Sequence, residues 1–140
     1  MLKHAKTDED IARCFPVMAE LRTHLQPESF VSLVRQLEQG GYRLAYVENG
    51  NGIVAVAGYR ISTNLFLGKN LYVDDLVTAD RVRSQGYGEI LLSSLRDIAR
   101  ANDCAHFHLD SGTQRKQAHK FYFRQGMTIS SYHFDEKLTR

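Results

Sequence analysis

One junction constrains this chain more than any other. The extended apolar run Leu71-Tyr72-Val73-Asp74-Asp75-Leu76-Val77 leads, through Arg83-Ser84-Gln85-Gly86-Tyr87-Gly88-Glu89, into the helical pattern Ile90-Leu91-Leu92-Ser93-Ser94-Leu95. A strand, a glycine-bearing loop and a helix N-terminus in that order point several backbone N–H groups one way. The positive end of the helix dipole stands behind them. Gly86 and Gly88 let the backbone approach a ligand with no Cβ in between. The predicted ligand is an anion, above all a phosphate or pyrophosphate. Two familiar nucleotide signatures are excluded. There is no Gly-Lys-Ser/Thr, and the loop has two glycines where the dinucleotide fingerprint needs three.

Composition sets the remaining bounds. A chain of 140 residues with 43% hydrophobic and 24% charged residues reads as one domain, 1–140, with one core. A formal net charge of +2 gives no argument for nucleic acid. Cys14 and Cys104 have neither metal-type nor CxxC spacing, and Cys104 falls in a predicted buried strand, where an inert thiol is expected. Met1-Leu2-Lys3-His4 does not open a signal peptide. No run approaches the ~20 apolar residues of a membrane span. A cytoplasmic protein without a membrane partner is expected.

The element order follows from local signals. Leu2 to Lys6 reads as a first strand. Thr7 caps a helix whose first turn is acidic and whose apolar residues run from Ile11 to Leu25, with Pro16 predicting a kink or break. Pro27 opens a second helix that stops at Gly40-Gly41. Tyr42 to Glu48 and Ile53 to Ile61 are predicted strands joined by the hairpin signal Asn49-Gly50-Asn51-Gly52. Ser62 to Asn70 reads as a connecting loop, Leu71 to Thr78 as a strand, and Ala105 to Leu109 as a buried strand after the glycine-loop helix. Gln114 to Gln125 is a helix and Met127 to Glu136 a final strand. The order βααβββαβαβ predicts a mixed α/β fold.

The residues of the loop carry a resemblance. R-x-x-G-x-G, read as Arg83, Gly86 and Gly88, resembles motif A of the GNAT family of N-acetyltransferases. Downstream, Ala118-His119-Lys120-Phe121-Tyr122-Phe123-Arg124-Gln125-Gly126-Met127 resembles motif B of that family. The resemblance covers essentially the whole chain, and the element order is the usual one. It implies the acyl-CoA N-acyltransferase fold: a mixed, mostly antiparallel sheet, splayed in the middle, with helices on both faces. It also implies acetyl-CoA as co-substrate. The loop Arg83, Ser84, Gln85, Gly86, Tyr87, Gly88 and Glu89 would hold the pyrophosphate. Leu76 and Val77 would pair with the pantetheine arm, and Ala118 would lie near the cofactor. Ser111 stands where the family often has Asn or a small polar residue touching the cofactor arm.

The same resemblance points Tyr122 at the CoA sulfur as general acid, since a phenol of ordinary pKa about 10 is a reasonable donor to a thiolate. Phe121-Tyr122-Phe123 also reads as a packed aromatic helix face. Asp74 and Asp75 are candidates for the general base or for ammonium recognition, with Asp75 slightly preferred. They face opposite ways on a strand, and a carboxylate in an apolar strand needs a reason. The competing reading pairs one of them with an arginine such as Arg81 or Arg83. His106 and His108 share a strand face, but an i, i+2 pair seldom suffices for a metal, and none is expected. The acceptor suggested is the primary amine of a small molecule. A protein or peptide acetyltransferase and a non-catalytic acyl-CoA-binding regulatory module remain open alternatives. The Ser130–Phe134 strand offers an edge for a homodimer.

Overall fold

The structure is a computed structural model and describes residues 1–139. Its elements run β1 (Leu2–His4), α1 (Asp8–Leu21), α2 (Pro27–Glu38), β2 (Arg43–Asn49), β3 (Gly52–Asn64), β4 (Gly68–Thr78), α3 (Tyr87–Ala101), β5 (His106–Leu109) and α4 (Lys116–Arg124). The chain forms two compact units, Met1–Leu109 and the segment from Asp110 onward.

In the first unit the strands lie in the order β1-β2-β3-β4-β5. All neighbours are antiparallel except β4 and β5, which are parallel and joined through α3. Leu44 to Val47 and Ile53 to Tyr59 are buried without interruption. Uninterrupted burial means that both sheet faces are covered. Leu91, Leu92, Leu95 and Ala99 of α3 and Ile11, Cys14, Val17 and Met18 of α1 complete this core. Burial pushes the Cys14 thiol up to about 12, so it is an inert apolar filler.

Two irregularities position the site. The β4–β5 ladder covers Asn70 to Val73, whereas the β3–β4 ladder continues to Thr78. The far edge of β4 from Asp74 to Thr78 therefore has no ladder partner on the β5 side among the described residues, and the sheet opens there. The β3–β4 register also shifts: Gly58 faces Asp75 while Tyr59 faces Val73. Asp74 is thus the extra residue of a bulge, a device that re-aims side chains.

Several expectations need correction. Ser62 to Asn70 is no open loop: β3 and β4 extend through it and turn tightly after Asn64, whose side chain accepts from the Leu67 N–H at 2.6 Å. Those strand ends are polar because the hairpin tip is exposed, which hid the pairing from a hydrophobicity reading. Helix α1 does not break at Pro16 but continues through it. The buried residues on either side, Cys14 and Val17, hold the turn whose hydrogen bond the proline removes. Cys104 is half-buried and precedes β5, because its N–H closes the end of α3 on the Ala99 carbonyl at 2.9 Å. Among the described residues no strand follows α4, so the predicted strand Met127 to Glu136 is not formed. Its apolar residues Ile129, Tyr132 and Phe134 are 69%, 84% and 92% exposed. Apolar and aromatic residues favour a strand only where another strand supplies the ladder.

Candidate active site

The loop after β4 is built from fixed points. Ala79 is buried and its N–H bonds the Val54 carbonyl at 2.8 Å. A single 3-10 turn, Asp80–Val82, follows, and the Asp80 N–H bonds Glu20 of α1 at 2.8 Å. The chain then passes through two left-handed residues, Ser84 at φ 66° and Gly86 at φ 88°. Gly86 is the N-cap of α3 and offers no side-chain cap. The first helical bond runs from the Ile90 N–H to the Gly86 carbonyl at 3.2 Å. Helix geometry therefore leaves the amides of Tyr87, Gly88 and Glu89 without intrahelical acceptors. They point outward at the positive end of a 15-residue helix. Ser84, Gln85, Gly86 and Glu89 are exposed.

Side chains brace this loop from below. Tyr87 packs against the core, and its hydroxyl accepts from Asn49 Nδ2 at 3.1 Å. Arg81 donates to the Ile53 carbonyl at 3.0 Å. Arg83 is exposed and pairs with Asp80 at 2.7 Å. The β2–β3 hairpin thus anchors both flanks of the loop.

The two aspartates of β4 have different surroundings. Asp75 is held from two sides: Arg22 Nε donates to Oδ1 at 2.9 Å, and the Tyr42 hydroxyl donates to Oδ2 at 2.8 Å. Arg22 Nη2 also donates to the Asp74 carbonyl at 2.8 Å. Burial, then the Asp75 charge, drives the Tyr42 phenol far above its ordinary value, so it stays a neutral donor. Gly58 makes this contact possible: a Cβ there would lie 1.8 Å from the Tyr42 hydroxyl oxygen. Asp74 Oδ2 lies 3.3 Å from Arg60 Nε, yet the two buried atoms are not aligned as a hydrogen bond. Burial raises the Asp74 pKa, and the Arg60 guanidinium only partly offsets it. Both carboxylates therefore meet arginines, but these are Arg22 and Arg60 rather than Arg81 or Arg83.

Leu76 and Val77 lie half-buried on the part of β4 without a β5 partner. Their backbone at that edge is open to a ligand that pairs like a strand.

In the second unit, Ala118 and Tyr122 are one turn apart on α4 and share a face. The Tyr122 ring packs edge-on to Phe121 at 5.4 Å, and burial raises its phenol pKa. Gly126, at φ 85°, ends the helix, and the Met127 N–H bonds the Tyr122 carbonyl at 3.1 Å. Ser111 Oγ is buried without a hydrogen-bond partner. Phe123 is 54% exposed, so the aromatic run is not simply a packed face. His108 bonds buried Asn70 at 2.8 Å and is a structural histidine. Among the described residues no group of three His, Cys, Asp or Glu side chains could hold a metal ion. No helix is long and apolar enough to cross a membrane.

Sequence reasoning missed Tyr42, Arg22, Arg60 and Gly58. One signal was available for the last: a glycine inside an apolar strand marks a bulge or a close approach.

Comparison with known proteins places this geometry. The model of the acetyltransferase (GNAT) family matches residues 6–127. An uncharacterized N-acetyltransferase of Bacillus subtilis, YhdJ, is 36% identical over 135 residues, covering 95% of each chain. The crystal structure of a transcriptional regulator from Bacillus halodurans superposes with a TM-score of 0.87 at 20% identity, covering 99% of each chain. AAC(6')-Iy, in complex with the bisubstrate analogue CoA-S-monomethyl-acetylneamine, superposes with a TM-score of 0.85 at 8% identity, over 100% of this chain and 98% of that one. With its splayed sheet and glycine-loop helix, the chain belongs to the GNAT family of acetyltransferases.

Proposed function

We propose that this protein transfers the acetyl group of acetyl-CoA to a primary amine of a small molecule by direct attack in a ternary complex. The observation that carries the reading is the Arg83–Glu89 loop, with its left-handed Gly86 and outward amides at the start of α3. Such amides suit a pyrophosphate. The unpaired edge of β4 at Leu76 and Val77 suits the amide-bearing pantetheine arm. In this reading Ser111 and Ala118 also border the cofactor. The solved relative bound to a CoA-based bisubstrate analogue supports a CoA ligand and a small acceptor on this fold.

The chemistry balances as follows. The neutral amine attacks the thioester carbon, and the carbonyl oxygen takes up negative charge, stabilised by a main-chain N–H of β4. The C–S bond then breaks and the thiolate takes a proton from the Tyr122 phenol. The proton lost by the ammonium goes to a carboxylate, directly or through water. Of the two candidates, Asp74 is the better base. Its pKa is raised and its Oδ2 makes only a misaligned ion pair with Arg60, whereas both oxygens of Asp75 accept hydrogen bonds. Asp75 instead fixes Arg22 and Tyr42 beside the site.

The test is thiol release from acetyl-CoA against small amines, aminophosphonates, polyamines, aminoglycosides and basic peptides. Turnover with one small-amine class supports the reading. Turnover with peptides alone replaces the acceptor, and tight acetyl-CoA binding with no release across the panel favours a non-catalytic module.

A further inference from the structure

A cavity of about 560 Å³ opens where β1, the C-terminal end of α2 and the start of β2 meet. That volume is in the range of small-molecule sites. Its polar lining comes from His4, Lys6, Arg35, Glu38, Gln39, Arg43 and Tyr59. The three cations outnumber the single carboxylate, and that carboxylate is already committed: Arg35 Nη1 donates to Glu38 at 3.0 Å. Arg35 is itself held in place, with Nε on Asp8 at 3.0 Å and Nη2 on the Lys6 carbonyl at 2.9 Å.

The floor adds a neutral donor. His4 Nε2 and the Tyr59 hydroxyl are 2.6 Å apart. Burial, then the charges of Lys6 and Arg43, lowers the His4 pKa, so the imidazole is neutral at pH 7. If the tyrosine donates to Nε2, the imidazole N–H is left unspent. If the imidazole donates, the phenol O–H is left. Either tautomer leaves one donor unspent on this pair. Lys6 pairs with no acidic side chain among the described residues, and Arg43 spends only Nη1, on the Tyr42 and Glu38 carbonyls at 2.8 and 3.4 Å. Of the cations lining the cavity, Arg35 is paired with Asp8 and Glu38, whereas Lys6 and Arg43 meet no carboxylate among the described residues. The floor residue Tyr59 is 4% exposed, so the donor pair sits below the surface.

We infer that this cavity binds a small anion bearing a phosphate or carboxylate group, held between Lys6 and Arg43 with the His4–Tyr59 pair beneath. The site is separate from the glycine loop and from Asp74, so the inference does not depend on the acetyl-transfer reading. It has a structural link to that region, since Arg43 fixes the carbonyl of Tyr42, whose hydroxyl holds Asp75.

The experiment is a two-dimensional amide NMR titration of the whole protein with inorganic phosphate and, separately, succinate. Ionic strength is held constant with sodium chloride, and saturating coenzyme A is present to occupy the glycine loop. Saturable shifts are expected at Ala5, Arg43 and Leu44, and the double variant Lys6→Gln/Arg43→Gln should weaken them at least tenfold, about the effect of losing two charged hydrogen bonds. Both residues are exposed, and the unchanged remainder of the variant's spectrum reports that it folds. Saturation by phosphate alone or by succinate alone identifies the group recognised. Shifts that never saturate, that persist undiminished in the double variant, or that fall only at Gly86 and Gly88 overturn the inference. Because each amide reports its own site, failure at the loop and failure at this cavity are told apart.

Discussion

The sheet unit and the C-terminal unit satisfy their side chains in different ways. Between Met1 and Leu109 most apolar residues form one buried cluster, with Leu65 and Phe66 exposed at the β3–β4 tip, and the strands pair edge to edge across the sheet. From Asp110 onward no helix residue is fully buried, Ser111 Oγ lacks a partner, and Tyr132, Phe134 and Leu138 are almost wholly exposed. The first unit carries its own core and, on it, the backbone amides and carboxylates of the candidate site. The second carries the candidate acid, Tyr122. In the proposed reading, gripping the cofactor and delivering a proton fall to different parts of the chain, and substitutions should separate them.

The largest separation is expected at Tyr122. Tyr122→Phe keeps the ring against Phe121 and removes only the hydroxyl. If Tyr122 is the general acid, kcat should fall by about 100-fold, while acetyl-CoA affinity, measured by calorimetry, stays within a factor of about two. A parallel loss of affinity would merge the two roles.

Next comes the interior of the sheet unit. Gly58→Ala places a methyl group where the Tyr42 hydroxyl sits. The phenol must move and release Asp75. The predicted cost is about 1–3 kcal/mol of stability from overpacking, read as a lower urea midpoint at unchanged slope. Combined with Tyr42→Ala, Gly58→Ala should cost less than the two changes do separately, because ring atoms Cζ and Cε1, 2.2 and 2.5 Å from the new Cβ, clash as well as the hydroxyl and leave only with the ring. A simple sum of the two effects would contradict the assigned contact.

Asp74 sharpens the comparison through pH. Its folded pKa is raised, so the native state binds this proton more tightly than the unfolded chain. Stability from this group is therefore greatest at acid pH. It declines as pH rises from the ordinary carboxylate value of about 4 through the raised one, and the cost persists at neutrality. Asp74→Asn should flatten that part of the stability–pH curve, measured by urea unfolding across it. The same substitution should lower kcat and abolish its rise with pH if Asp74 is the base. A retained pH–rate limb would move that role elsewhere.

The smallest effect is expected at the exposed tail. Tyr132→Ser with Phe134→Ser should change the stability of the monomer by less than about 0.5 kcal/mol. If the Ser130–Phe134 segment forms the edge of a homodimer, light scattering should show a mass drop in the variant without a change in the sheet's spectrum.

The unequal legibility of the molecule has the same origin as this contrast. The glycine loop was readable because its signal is local: a strand, two glycines and a helix start lie within one short stretch. The β2–β3 hairpin was readable from Asn49-Gly50-Asn51-Gly52 for the same reason. The partners of Asp75 were not, since Arg22 is 53 positions away and Tyr42 33 away. Only the fold brings them together, and the bulge opposite Gly58 decides which way each aspartate points. The final strand failed as a prediction for a related reason. Its apolar residues Met127, Ile129, Tyr132 and Phe134 are spaced two, three and two apart, and a strand is a relation between segments that the pattern of one segment does not report.

The most direct test of the account is a calorimetric comparison of acetyl-CoA with acetyl-pantetheine, which has the thioester arm but no pyrophosphate. If the amides at the start of α3 hold the pyrophosphate, acetyl-CoA should bind about 100-fold more tightly, equivalent to about 2.7 kcal/mol. Equal affinities would mean that the Arg83–Glu89 loop does not grip the cofactor, and would contradict the account at its base.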